Sequence, residues 1–278
     1  MKFSGHVTEA RRSATLIGIS GITVALGLVI SALIILHSVV HVCWKTQQCG
    51  PTTGPINVYG YLFDLAAEGN IPTWYAVVQL FTVALMLGFV AIARRVQKAP
   101  TAAWWGLAVI FAYLSLDEAT DMHGLWRRWL GDYTIPGMQA AGFSWIIPGI
   151  IVVSVIAAIY LPWVLKLPSR TRVLFVIAGA VYVTGGIALE GVGGFLADFT
   201  FSNDSYLVAV TLEESCELYG ILIMLYAVLH YLGKQSITLS AGDAARGATS
   251  EISERRGRQS GGAVQHADAV APHRPTGN

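Results

Sequence analysis

The sequence predicts an all-α integral membrane protein, a bundle of about six transmembrane helices. Of its 278 residues, 54% are hydrophobic and 13% are charged, whereas a soluble domain carries about a quarter charged residues. Six apolar stretches are each near or above the ~20 residues that a helix needs to cross a bilayer. These stretches are residues 14–43, 73–94, 102–123, 140–165, 171–197 and 206–232.

The first stretch is much longer than the ~7–15 apolar residues of a signal peptide, so we expect it to be retained as a membrane helix. Cys43 and Cys49 enclose a short loop directly after it. A disulfide can form there if the loop faces an oxidising compartment. The third cysteine, Cys216, lies among apolar residues and is expected to be a packing residue.

Charges between the stretches predict the orientation of the protein, because cytoplasmic loops are enriched in Lys and Arg. The basic residues that two cytoplasmic termini would place inside are Lys2, Arg11, Arg12, Arg94, Arg95, Lys98, Lys166, Arg170, Arg172 and Lys234. The opposite loops carry mostly acids, namely Asp64, Glu68, Asp132, Asp198 and Asp204. We therefore expect a multi-pass protein of the cell (cytoplasmic) membrane. Its transmembrane domain would span residues 1–234, with a disordered cytoplasmic tail at 235–278.

Two acidic decapeptides stand out within the apolar stretches. Residues 115–124, SLDEATDMHG, end the third stretch, and residues 211–220, TLEESCELYG, lie in the sixth. Both read [ST]-L-[DE]-E-x-x-[DE]-x-x-G. Because the third and sixth helices would run in opposite directions, the two motifs could belong to an inverted repeat of three helices each. The motif begins further from the start of its stretch in the third stretch than in the sixth, whereas an inverted repeat should preserve this offset.

These carboxylates need a neutralising partner, since an ionised carboxylate at the centre of a bilayer costs at least ~2.5–3.5 kcal/mol. Protons, interfacial water or a divalent cation could each supply it. Carboxylate and imidazole together are a ligand set for Zn, Mn and Fe, and His37 and His41 lie one helical turn apart at the same outer level. His123 can join only if its helix loosens before Gly124. The predicted ligands of this divalent ion are Glu118, Asp121, His123, Glu214, Glu217, His37 and His41.

Three classes of function fit this pattern. The first is a metal-dependent membrane enzyme, a hydrolase or oxidase acting on a lipidic or small apolar substrate at the outer face, with Asp117, Glu190 and Glu213 as catalytic carboxylates. The second is a divalent-cation or proton-coupled transporter, hinged at the glycines around Glu190. The third is a non-catalytic membrane subunit whose acids form a partner interface. A net charge of +1 and the lack of a recognition motif exclude nucleic acid as a partner.

The segment YLSLDEATDMHGLWR, followed later by EESCE, resembles a motif of uncharacterised bacterial polytopic membrane proteins. In these, S-x-D-E is followed by a histidine, and a later helix carries E-E-x-x-E. The resemblance covers the third to sixth stretches. It implies a bacterial inner-membrane protein and no established activity.

Overall fold

The computed structural model describes residues 2–47, 49–50, 54–125, 136, 145–197 and 203–234. They form the helices α1 (Lys2–Thr46), α2 (Pro55–Tyr59), α3 (Ile71–Val96), α4 (Ala102–Thr120), α5 (Ile146–Val164), α6 (Ser169–Val183), α7 (Glu190–Leu196) and α8 (Asp204–Lys234). A 3-10 helix, Gly60–Phe63, follows α2, and a π-helical segment, Thr184–Leu189, joins α6 to α7. The described part of the chain contains no β-strand, which confirms the all-α class.

Five helical stretches in the described ranges are long and apolar enough to cross a membrane. They are Ile17–Thr46, Ile71–Val96, Ile146–Val164, Ser169–Leu196 and Asp204–Lys234. They correspond to all the predicted spans except the third. Helix α4 ends at Thr120, three residues before the predicted end, and carries Asp117 and Glu118 in its last turn. The chain thus has the multi-pass helical character of a membrane protein, while the third span, the orientation and the repeat stay predictions.

Two compact units divide the chain. Residues 15–232 form the first, and residues 1–14 with 233–278 form the second. In the second unit, the described residues belong to the first part of α1 and the last two residues of α8. The predicted tail at 235–278 lies outside the described residues, as do Asp132 and Asp198.

Helix α8 contributes to both of the larger hydrophobic clusters in residues 15–232. One cluster joins α3, α4, α5, α6 and α8, with Trp104 and Leu87 among its fully buried members. The other joins α1, the loop before α3, α3 and α8 through Ile30, Leu65 and Leu218. By contrast, α1 and α5 expose broad apolar faces that suit contact with lipid. The second acidic motif lies on α8, which is the most buried of the five long apolar helices in the described ranges.

The chain between α1 and α3 packs closely against the C-terminal end of α1. A Cβ atom at Gly60 would lie 2.8 Å from Val40 Cγ1 and 2.9 Å from Trp44 Cζ2, so only glycine permits this approach. Asn70 caps α3 by accepting a hydrogen bond from the Thr73 N–H at 3.2 Å. Cys43 and Cys49, whose pairing the sequence left undecided, form a disulfide that closes the short loop at the end of α1.

Asn70 also fixes the loop that precedes it. Its Nδ2 group donates hydrogen bonds to the carbonyl oxygens of Tyr61, Asp64 and Ala67 at 3.1, 2.6 and 2.8 Å. The Asn70 residue is buried, with 6% exposure. One side chain therefore sets the backbone position of Asp64 relative to the start of α3.

Candidate metal centre

The end of α1 and the loop before α3 bring His37, His41 and Asp64 together. Each residue offers one ligand atom, and these three atoms all lie within 4.8 Å of one another. His41 Nε2 is 2.8 Å from Asp64 Oδ1, and His37 Nδ1 is 3.1 Å from the same oxygen. His37 is 2% exposed and Asp64 is 9% exposed. The group can bind a metal ion, and it combines two predicted ligands with one that the sequence did not indicate.

Hydrogen bonds fix the tautomer of His37. The Thr211 hydroxyl donates to the Leu207 carbonyl oxygen at 2.6 Å, so its oxygen, 3.1 Å from His37 Nε2, accepts the Nε2–H. The other ring nitrogen, Nδ1, accepts a hydrogen bond from the Leu65 N–H at 3.0 Å. The single Nδ1 lone pair is thus taken up by the Leu65 N–H, and a metal ion at Nδ1 would have to displace that hydrogen bond. An oxygen holds the opposite N–H, as is usual for histidines that bind metals.

The spacing of the three ligand atoms is close to that of a metal site. In a tetrahedral zinc site with bonds of ~2.0–2.1 Å, neighbouring ligand atoms lie about 3.3 Å apart. The distances of 2.8 and 3.1 Å to Asp64 Oδ1 are slightly shorter. A small outward movement of the side chains would admit an ion and leave a coordination position for water or substrate.

Asp64 is ionised at this site. Burial alone would raise the pKa of its carboxyl group, but the rings of His37 and His41 and the Ala66 N–H, which donates to Oδ1 at 3.0 Å, lower that pKa well below its usual range. A carboxylate must be deprotonated to bind a metal ion. The local structure therefore holds Asp64 in its ligand form.

His123 lies beyond the end of α4 and turns back toward that helix. Asp121 ends α4 in the left-handed conformation, with φ 50° and ψ 47°, which aspartate tolerates better than most residues. The His123 N–H then donates to Asp117 Oδ1 at 2.7 Å, and His123 Nδ1 lies 3.1 Å from Asp117 Oδ2. His123 Nε2 lies 3.3 Å from Asp121 Oδ1. The helix thus loosens before Gly124, which is the condition under which His123 was expected to join the acids.

His123 is protonated at neutral pH. Burial alone would lower the pKa of its imidazole, but the hydrogen bond and charge of Asp117, together with the charges of Glu190 and Asp121, raise that pKa to about 9. A protonated imidazole has no lone pair for a metal ion. In this state His123 neutralises the surrounding carboxylates, and its ligand role stays a prediction.

The π-helical segment lies directly against the acidic motif of α8. A Cβ atom at Gly185 would lie 2.7 Å from the Glu213 carbonyl oxygen and 2.9 Å from Glu217 Cγ. Just after this segment, Glu190 Oε1 accepts a hydrogen bond from Trp145 Nε1 at 2.7 Å. The two glycines before Glu190, Gly185 and Gly186, thus lie in a widened helical turn, a feature that is frequent at functional sites.

Residues 23–231 match a family described as a domain of unknown function, DUF8692. The chain belongs to the DUF8692 family. The matched region runs from α1 to α8 and contains the three residues of the candidate metal centre and both acidic decapeptides. No curated protein and no solved structure matches the chain.

Within this DUF8692 region, the described acids of α4, α7 and α8 do not bring a second set of three ligand atoms within 4.8 Å of one another. Ligand roles for Glu118, Asp121, Glu214 and Glu217 stay predictions. The two decapeptides also differ locally, because the first ends in a turn and the second lies within a continuous helix.

Sequence reasoning missed the contribution of Asp64, Thr211 and Asn70 to the metal centre. The Asn70-Ile-Pro72 run is a helix-start pattern that could have indicated a short, fixed loop beside His37 and His41.

Proposed function

We propose that this protein is a membrane metalloenzyme in which His37, His41 and Asp64 hold a divalent ion of Zn, Mn or Fe. The observation that carries the proposal is the convergence of three ligand atoms within 4.8 Å on two buried residues and one half-buried residue. Two imidazoles and one carboxylate form the ligand set of many catalytic zinc sites and of non-haem iron sites. Such sites keep positions open for water and substrate.

The surroundings of the site favour a lipidic or small apolar substrate at the outer face. Exposed apolar side chains flank it on the last turns of α1 and on the short helices that follow: Val39, Val42, Val58, Tyr59 and Tyr61. A substrate dissolved in the bilayer could reach the site along these side chains. The Cys43–Cys49 disulfide at the same end favours an oxidising compartment there, which agrees with cytoplasmic termini.

A carboxyl group of α8 follows closely on the threonine that orients His37. Thr211 of α8 accepts a hydrogen bond from His37. Glu214 lies three residues after Thr211, which is about one turn, or about 4.5 Å, deeper along α8 and on the same side of the helix. We assign proton transfer to Glu214. Asp117, Glu190 and Glu213, the expected catalytic acids, would tune the charge around it. A bound metal ion would supply Lewis acidity for hydrolysis or oxidation.

Metal content tests the proposal directly. In full-length protein purified in detergent, we expect about one divalent ion per chain by plasma mass spectrometry. Asp64→Asn and His41→Ala should lose the ion. Asp204→Asn is the matched control, because Asp204 is an exposed carboxylate at the same end that pairs with Lys45 instead.

Two outcomes would contradict the proposal. Protein without a stoichiometric metal ion would exclude a metalloenzyme. Loss of the ion in Asp121→Asn and Glu214→Gln, with retention in Asp64→Asn, would place the metal among the acids of α4 and α8 instead.

A divalent-cation or proton-coupled transporter is the second candidate, favoured by the close packing of the π-helical segment on Glu217. Interrupted helices against buried charges are typical of transporter binding sites. If this function is correct, Glu217→Gln should abolish cation uptake into proteoliposomes while Asp64→Asn leaves uptake unchanged. Uptake that is unaffected by Glu217→Gln would exclude it.

A further inference from the structure

The end of the bundle opposite the metal centre is strongly basic. In the described part of residues 15–232, six Lys and Arg residues lie at this end, and we name them the basic rim: Arg94, Arg95, Lys98, Lys166, Arg170 and Arg172. Every Asp and Glu in the same described part lies in the other half of its helix or in a loop at the other end. The basic rim is therefore a surface of one sign of charge.

Tyrosines of α8 hold two of the arginines in place. Arg94 Nη1 donates a hydrogen bond to the Tyr231 hydroxyl at 2.8 Å, and Arg170 Nη2 donates to the Tyr226 hydroxyl at 2.7 Å. A neutral tyrosine positions a guanidinium without cancelling its charge, and each guanidinium keeps further N–H donors. Neither arginine forms an ion pair with a carboxylate in the described ranges.

An exposed tryptophan lies at the same end as the basic rim. Trp105, near the start of α4, is 43% exposed, and Trp and Tyr are enriched at the headgroup level of a membrane. Exposed apolar side chains continue from the two arginines along α3 and α6: Ile92, Val96, Val173 and Val176. A fixed cation thus lies beside a surface suited to an acyl chain on both helices.

We propose that the basic rim binds the phosphate of anionic phospholipid headgroups, with Arg94 and Arg170 as its two fixed contact points. The planar guanidinium matches phosphate oxygens with two parallel N–H donors. The adjoining apolar surface favours a lipid over a soluble phosphate ion. This site is separate from the metal centre, and its occupancy does not depend on a metal ion.

Native mass spectrometry of the full chain tests this inference. The protein is released from micelles that contain equal amounts of phosphatidylglycerol and phosphatidylcholine, and we expect phosphatidylglycerol adducts to dominate. Arg170→Gln should lower that preference by more than about tenfold, because it removes a paired, charge-assisted contact to the phosphate, whereas loss of a charge alone at an anionic surface accounts for about fivefold. Arg170→Lys keeps the charge but loses the paired donors, so it should fall between the two.

Arg95→Gln is the matched control, because it removes one exposed charge beside Arg94 without disturbing a tyrosine contact. An equal loss in Arg95→Gln and Arg170→Gln would show diffuse attraction and overturn the fixed site. Equal binding of the two lipids would overturn the proposal, and displacement by millimolar inorganic phosphate would assign the site to a soluble ion. At Arg94, the second fixed contact point, the variant to test is Arg94→Lys, because the lysine can still donate a hydrogen bond to the buried Tyr231 hydroxyl.

Discussion

Removal of the Asn70 side chain should loosen the metal centre without altering the side chain of any metal ligand. In Asn70→Ala, α3 loses its cap, at a cost of ~1 kcal/mol. The carbonyl oxygens of Tyr61, Asp64 and Ala67 lose a buried donor, which adds ~1–3 kcal/mol. We expect a total loss of about 2–4 kcal/mol in unfolding free energy. Because the strongest of these bonds, at 2.6 Å, is to Asp64, metal affinity should also fall by about 10–100-fold, as for other groups that orient ligands.

The assay combines denaturant unfolding of metal-free protein in detergent with a metal titration of the same preparation. Asn70→Ser is the matched control, because its hydroxyl oxygen can still accept the Thr73 N–H, whereas the three donated bonds are lost. It should recover the capping part of the stability and leave the metal affinity low. Unchanged unfolding and unchanged metal affinity in Asn70→Ala would refute the reasoning.

Three further predictions concern other contacts of the structure. Thr211→Val removes the oxygen that orients His37, so metal affinity should fall by about 10–100-fold and recover in Thr211→Ser; equal affinities in a titration of both variants would count against this role. Gly60→Val would place a side chain against Trp44 and should cost about 1–3 kcal/mol of unfolding free energy, whereas a wild-type denaturation midpoint would show that the loop can move away. Because the folded pKa of His123 is about 9 and its ordinary pKa is 6.5, its stabilisation is full below about pH 6.5 and is lost as the pH rises through 9. The stability difference between wild type and His123→Gln, followed by unfolding from pH 6 to 10, should shrink over that window, and a constant difference would contradict the assignment.

The pattern of apolar stretches was sufficient to predict most of the fold. Five of the expected spans are present as helices, because a run of ~20 apolar residues has few alternatives to a membrane helix. The i, i+4 spacing of His37 and His41 likewise placed both imidazoles on one side of α1, where their rings lie 4.5 Å apart.

Contacts between distant segments could not be predicted in the same way. Asp64 is separated from His41 by 23 positions, and its placement depends on the close approach at Gly60 and on the bonds of Asn70. The left-handed Asp121, which ends α4, follows a sequence that continues to look helical. The sequence therefore indicated carboxylates and histidines at one end of the bundle, but it did not indicate which carboxylate joins the histidines.

X-ray absorption spectroscopy at the metal edge of the purified protein tests the central claim most directly. The structure predicts a first shell that contains two imidazole nitrogens and carboxylate oxygen at ~2.0–2.2 Å, with the outer-shell scattering of histidine rings. In His41→Ala, which should lose the ion, the metal edge itself should disappear, whereas the imidazole scattering should persist in Glu214→Gln. A shell of oxygen alone, without imidazole scattering, would contradict a metal centre at His37, His41 and Asp64.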